Sequence, residues 1–215
     1  MAYTVQDRFF LKAKKEHYLA RAVYKLEEIQ KKHRILRTGD RVLDLGAAPG
    51  SWIQLTSGVV GRSGLVVGID LKQIERAFGN RVITIQGDIF DLEFVEAAVR
   101  DYLPFNVVLS DMAPATSGIK VADSARSALL FERALEIARW ALKPGGNFLA
   151  KIFHGPEFHR LITEVKKDFS RTRAIRPEAT RKQSREIYIL GTNLRCLQKD
   201  TTDRGSEAES KPTCN

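Results

Sequence analysis

Three aspartates stand one after another at the ends of apolar runs, and a lysine lies inside another. The run 65–69 ends at Asp70, the run 82–85 is followed by Gln86-Gly87-Asp88, and 105–110 ends at Asp111. Lys151 follows Phe148-Leu149-Ala150 within the run 147–152. Carboxylates in such places can hold hydroxyls or cationic groups. An amine inside an interior strand needs a partner or a function, because burying it unpaired is costly. Each acid alone reads first as a cap or turn residue. Three in series point to a cleft at the carboxyl ends of parallel strands, where ligands of open α/β sheets bind. Asp70, at the end of the second strand, would then face ribose hydroxyls. Metal chemistry has no support, since Cys196 and Cys214 are the only cysteines and form neither a ligand cluster nor a disulfide framework. His154 and His159 lack an orienting partner and read as surface or loop residues.

The turn that would complete such a cleft is Val42-Leu43-Asp44-Leu45-Gly46-Ala47-Ala48-Pro49-Gly50-Ser51-Trp52. An apolar run ending in an acid, then a glycine-rich turn, then an amphipathic segment is strand, loop and helix. Gly46 and Gly50 suit a backbone with positive φ or a close ligand. Ala48 and Pro49 break the G-x-G-x-x-G pattern of dinucleotide sites, and Pro49 removes a donor that a pyrophosphate would need. A cofactor without phosphates fits better; an ordinary turn with glycines for geometry alone is the other reading. Trp52, just past the glycines, can be core or cofactor-facing.

Helical and apolar stretches alternate around this turn. Residues 7–33 read as a basic helix with a break, and strands follow at 41–45, 65–69, 82–85, 105–110, 147–152, 171–176 and 185–191. Helices fall at 51–60, 92–102, 122–142 and 156–168, with Pro144-Gly145-Gly146 as a stop signal. The alternation predicts one α/β domain over 1–195: a doubly wound, Rossmann-like, mostly parallel seven-stranded sheet with helices on both faces. Residues 1–40 form a basic helical lead-in. From Cys196 the chain turns polar and aperiodic, and 196–215 reads as a disordered tail.

The net charge of +9 is unevenly spread. Residues 1–40 carry 10 basic and 5 acidic side chains, 41–159 carry 12 and 13, and 160–195 carry 10 and 4. Two basic segments around a neutral middle point to a polyanion, RNA or DNA rather than a membrane, since no membrane-binding helix is evident. Lys12, Lys14, Lys15 and Arg21, with Arg181-Lys182-Gln183-Ser184-Arg185, are the candidate contacts. No signal peptide or spanning segment is read, and the two cysteines suit a reducing cytoplasm. Without an obvious exposed apolar stripe the protein is expected to be a monomer.

Five motifs now occur in order: Arg21-Ala22-Val23-Tyr24-Lys25-Leu26, Asp44 through Trp52, Ser110-Asp111-Met112-Ala113-Pro114, Lys151-Ile152-Phe153 with Gly155, and Ser184-Arg185-Glu186-Ile187-Tyr188. Together they resemble the FtsJ/RrmJ family of S-adenosylmethionine-dependent RNA ribose 2′-O-methyltransferases, over about residues 7–192. The resemblance implies a catalytic tetrad of Lys25, Asp111, Lys151 and Glu186. It implies cofactor contacts from Gly50, Trp52, Asp70, Asp88 and Asp111. The implied substrate is a ribose, a uridine's, in large-subunit (23S-type) ribosomal RNA or the subunit itself, with tRNA as the alternative. Ala20 stands where the family usually has Ser, and Ser51 where it often has a second Gly; neither is a tetrad position.

For such a reaction the protein must align the attacking oxygen and help a proton leave. Lys151 would act on the hydroxyl, as a base if burial and a second cation such as Lys25 lower its pKa, or as a charged group that orients the oxygen. Lys25 would hold the ribose, Asp111 would bridge cofactor and lysine, and Glu186 would orient a lysine. Two other classes compete. A non-catalytic RNA-binding ribosome-assembly factor would not need all four tetrad positions intact. A nicotinamide-dependent oxidoreductase would want the missing glycine pattern.

Overall fold

A computed structural model describes residues 8–181 and 183–196; the expected tail beyond Cys196 lies outside the described residues. Two helices lead in, α1 (Arg8–Lys15) and α2 (Val23–His33), so the expected break falls at 16–22. Then follow β1 (Arg41–Leu45), α3 (Ser51–Val60), β2 (Leu65–Asp70), β3 (Val82–Gln86), α4 (Leu92–Val99) and β4 (Phe105–Ser110). The chain closes with α5 (Lys120–Ala141), β5 (Leu142–Phe153), α6 (Phe158–Asp168), β6 (Phe169–Ile175) and β7 (Glu186–Leu194).

The seven strands form one sheet in the order β3-β2-β1-β4-β5-β7-β6. Neighbours from β3 through β5 pair in parallel, and β7 is antiparallel to both β5 and β6. The order reverses at β1, the switch point where the loops after β1 and β4 diverge to opposite sides and open a crevice.

Strand alternation sorts the side chains onto two faces. Leu43, Leu45, Val67, Ile69, Val108, Ala150 and Ile189 pack with Phe131, Ala134, Ile137 and Ala138 of α5 and with α4 and α6. Val42, Val66, Val107, Leu109, Leu149 and Leu190 pack with Leu26 and Ile29 of α2 and Trp52 and Ile53 of α3. A smaller cluster of Ala13, Val23, Tyr24 and Ala179, with Phe9 against it, ties α1 to α2.

The stop expected at Pro144-Gly145-Gly146 is met differently. β5 begins at Leu142, pairs with Phe105, then resumes with Asn147 opposite Val107. The intervening residues bulge out, with Gly145 at φ +80°. The proline and glycines interrupt pairing without ending the strand. α5 starts two residues earlier than its periodicity implies, at Lys120. Asp123 stabilises that start by accepting from the Ser117 backbone N–H and hydroxyl, both at 2.9 Å. Those bonds hold its carboxyl down at about 2.

Candidate active site

The α2/α3 face of the sheet carries the site. Positions 149, 151 and 153 of β5 share that face, as do 186, 188 and 190 of β7. Lys151 is register partner of Tyr188, and Phe153 of Glu186. Asp111 continues the same alternation just past β4. Lys25 comes down onto this face from α2, whose Leu26 and Ile29 anchor it in the core. The four tetrad residues are thereby brought together from four elements.

They form two ion pairs. Lys25 Nζ donates to Glu186 Oε2 at 2.8 Å. Lys151 Nζ donates to Asp111 Oδ1 at 2.9 Å and to the Asp111 carbonyl at 2.5 Å. The Lys151 and Lys25 side chains are only 5% and 10% exposed, so these are not surface pairs. Glu186 orients Lys25, not its neighbour Arg185, which donates instead to the Lys120 carbonyl and Ser124 Oγ. Burial raises the Asp111 carboxyl, but the charges of Lys151 and Lys25, with a hydrogen bond from Tyr188, outweigh it and hold Asp111 below the ordinary carboxylate range.

Tyr188 is a site residue that sequence reasoning missed. Its hydroxyl donates to Asp111 Oδ1 at 2.5 Å, its ring packs on Trp52 at 5.8 Å, and it is wholly buried. Burial and the Asp111 charge push its own pKa well up, so it stays a neutral donor. A tyrosine in an apolar strand reads as core. Its quoted place in the motif with Glu186, two residues away on the same face, was the available signal.

Beside Asp111 opens a cleft of about 360 Å³, lined among others by Gly46, Ala48, Asp70, Asp88, Phe90 and Met112. Asp70, Asp88 and Asp111 therefore share it, as their strand-end positions imply. Asp70 also braces the loop, accepting from Ala48 N at 2.9 Å and Lys72 N at 2.8 Å. Asp88 accepts from Phe90 N at 2.9 Å. Gly46 sits at φ +77°, and a Cβ there would lie 2.3 Å from Met112 Cγ. The other two expected cofactor contacts, Gly50 and Trp52, are not among the residues that line this cleft. Gly50 turns the chain into α3 at φ +105°, where a Cβ would lie 2.4 Å from Phe78 Cζ. Trp52 lies in the core beneath the loop, its indole N–H donating to the Ala22 carbonyl at 3.0 Å. The chain cannot bury an indole N–H cheaply without such an acceptor, and using it this way couples the loop to α2.

Asp44, quoted within the turn but given no role, is the second missed residue. It is 1% exposed, and neither carboxylate oxygen has a hydrogen-bond partner. Burial, then the charges of Asp111 and Asp70, raise it to about 8. Three acids lining one cleft, with a fourth, orphaned Asp44 buried within reach of the charges of two of them, suit a ligand that brings positive charge. S-adenosylmethionine, with its ammonium and sulfonium, fits that donor set; a pyrophosphate does not. Among the described residues no group of His, Cys, Asp and Glu could hold a metal ion.

The chain matches the FtsJ-like methyltransferase family over residues 18–194. It is 62% identical to the ribosomal RNA large subunit methyltransferase E of Syntrophobacter fumaroxidans, covering 91% of this chain and 99% of that one. Identity to the protein of the same name from Desulfatibacillum aliphaticivorans is 51%, over 86% and 89% of the two chains. A crystal structure from Plasmodium falciparum, assigned as a ribosomal RNA methyltransferase, superposes with a TM-score of 0.70 at 28% identity, over 82% of this chain and 98% of that one. The protein belongs to the FtsJ-like methyltransferase family.

Proposed function

We propose that the protein methylates the 2′-hydroxyl of a ribose, a uridine's, in large-subunit ribosomal RNA, with S-adenosylmethionine as methyl donor. One observation carries the reading: the Lys25–Glu186 and Asp111–Lys151 pairs stand together at the strand ends, and Asp111 also lines the acidic cleft. The names of the related proteins support ribosomal RNA over tRNA. When bound, the cofactor supplies a methyl group already activated on sulfur, so the protein's work is alignment and proton removal.

Each residue then has a task. Asp111 accepts two hydrogen bonds from Lys151 Nζ, through its carboxylate and its carbonyl. These fix the rotation of the amine and leave one tetrahedral position directed elsewhere. In a neutral amine that position is the lone pair, which takes the 2′-hydroxyl proton; in the charged amine it is an N–H that orients the hydroxyl oxygen towards the methyl group. Lys25, held by Glu186, supplies a second cation beside the reacting groups and donates to the ribose. Tyr188 keeps Asp111 Oδ1 in place. All these groups come from one chain, so a monomer is competent. No helix of the described residues is long and apolar enough to cross a membrane, and a ribosomal substrate puts the work in the cytoplasm.

The test is chemical. Labelled methyl is transferred to unmodified large-subunit RNA, which is then hydrolysed in alkali. A 2′-O-methyl blocks cleavage at its own phosphodiester, so the label must appear in an alkali-resistant dinucleotide. Label recovered in mononucleotides would mean base methylation and end the ribose reading. In the same assay, single-turnover rate should rise with pH and level off if Lys151 is the base; a flat profile would leave it only the orienting role.

A further inference from the structure

Phe153 is a ring without a place in the core. It ends β5 half-buried, two residues beyond Lys151, and belongs to none of the three apolar clusters among the described residues. Strand alternation puts it on the face that carries Lys151, about 7 Å farther along the strand towards its carboxyl end. Its register partner is Glu186, the residue that holds Lys25. Its one ring contact among the described residues is the Arg185 guanidinium, 5.9 Å from the ring centroid.

The backbone at and after this residue is pinned, while the ring stays half in solvent. Phe153 N donates to Ser127 Oγ at 2.9 Å, and His154 N to the Arg185 carbonyl at 2.8 Å. Gly155 then passes so close to α5 that a Cβ would lie 2.7 Å from Ser124 Cβ. Arg185 is fixed in turn, donating through Nη1 to the Lys120 carbonyl at 3.1 Å and to Ser124 Oγ at 2.9 Å. A phenyl group left partly in water forgoes much of its hydrophobic gain. Held on a pinned backbone beside the reacting lysines, it is set up to receive a flat apolar surface.

We infer that Phe153 is the platform on which the base of the methylated nucleotide stacks. The assignment rests on the ribose-methylating reading above. In a nucleotide the 2′-oxygen and the base are carried by neighbouring carbons of the ribose, so a 2′-hydroxyl set against Lys151 brings its own base alongside. On the Asp111 side Lys151 adjoins the acidic cleft, which is the methyl donor's. Outward along β5, the next side chain on the same face is Phe153. A base drawn out of its RNA loses the stacking of its neighbours, and an aromatic side chain replaces it. Such stacking tolerates any base, because every base has a π face. The platform therefore holds the nucleotide without choosing it.

The experiment compares the full chain with Phe153→Leu, which keeps apolar bulk without a π face, and Phe153→Trp, which enlarges the π face. Labelled methyl transfer to large ribosomal subunits lacking the modification gives kcat/KM, with cofactor affinity followed by calorimetry and stability by urea titration. Phe153→Leu should lower kcat/KM for the subunit roughly tenfold, with the cofactor affinity and the urea midpoint unchanged. Phe153→Trp should stay within roughly threefold of the wild type. A side chain that only packs would give the reverse order, since leucine fits a space made for phenylalanine better than tryptophan does. Transfer by Phe153→Leu equal to wild type, a Phe153→Trp slower than Phe153→Leu, or a loss matched by a lower urea midpoint would overturn the platform, while methyl transfer to ribose by the wild type kept the reading beneath it. A wild type that labels no ribose would remove both.

Discussion

At the scale of single residues, the account turns on carboxylates that meet different partners. Asp111 is held by Lys151, Lys25 and Tyr188; Asp44, one strand away, is held by nothing. The consequence for Tyr188 is direct. Tyr188→Phe keeps the ring on Trp52 but removes the donor to Asp111, and should cost about 1 kcal/mol of stability. Turnover should fall roughly tenfold as Asp111 and Lys151 lose their fixed geometry, with the RNA KM unchanged. A turnover equal to wild type would show that the hydroxyl only satisfies itself. For Asp44 the sign follows from its raised value. The folded protein keeps a proton that the unfolded chain gives up above 3.8, so stability from this group is full below that pH and is lost as pH rises toward about 8. Urea titrations of ligand-free protein should show Asp44→Asn gaining on wild type between those limits, by on the order of 1 kcal/mol per pH unit. An advantage that does not grow with pH would contradict a buried, unpaired acid. Binding of a cationic cofactor beside Asp44 should also release a proton at neutral pH, seen as buffer-dependent heats in calorimetry and abolished in Asp44→Asn.

At the scale of elements, the β1–α3 turn sets the cleft. Gly46→Ala combines a left-handed backbone with a Cβ driven into Met112. It should lower stability by roughly 1–3 kcal/mol and weaken cofactor binding more than RNA binding; an unchanged melting temperature and cofactor affinity would show that the loop can shift freely. Much of this layer was legible beforehand. β1, α3 and β4 fall where the apolar runs and the glycine-rich turn put them, because a buried parallel strand writes its burial into consecutive residues. The acids at strand ends were legible for the same reason. Pairing across the sheet was not. Nothing local marks β7 as antiparallel, or brings Glu186 to Lys25 across 161 positions; only the resemblance linked them. Asp44 and Tyr188 stayed silent because a strand-end acid and a strand tyrosine have common structural uses. Trp52 shows the limit from the other side, since its position allowed two roles and its N–H bond to Ala22 is one of packing.

At the scale of the whole molecule, charge and shape divide the work. Asp111 lines the acidic cleft with Asp70 and Asp88, while Lys25 and Glu186 line a second cavity with Arg21 and Arg181, and the chain's net +9 is concentrated in the segments that supply that second cavity. Counterion release makes binding to such a surface strongly salt-dependent and largely sequence-independent. Selection of one nucleotide must then come from RNA shape or from the ribosomal particle. The central claim is ribose methylation of large-subunit RNA through Lys151. Its most direct measurement offers unmodified tRNA, free large-subunit RNA and large subunits lacking the modification to wild type and Lys151→Ala, with labelled S-adenosylmethionine, and maps the sites by mass spectrometry. The account predicts one 2′-O-methylated ribose in the large-subunit RNA, formed roughly 10²–10⁴-fold more slowly by Lys151→Ala while cofactor binding persists. Label confined to tRNA, or equal transfer by Lys151→Ala, would contradict it.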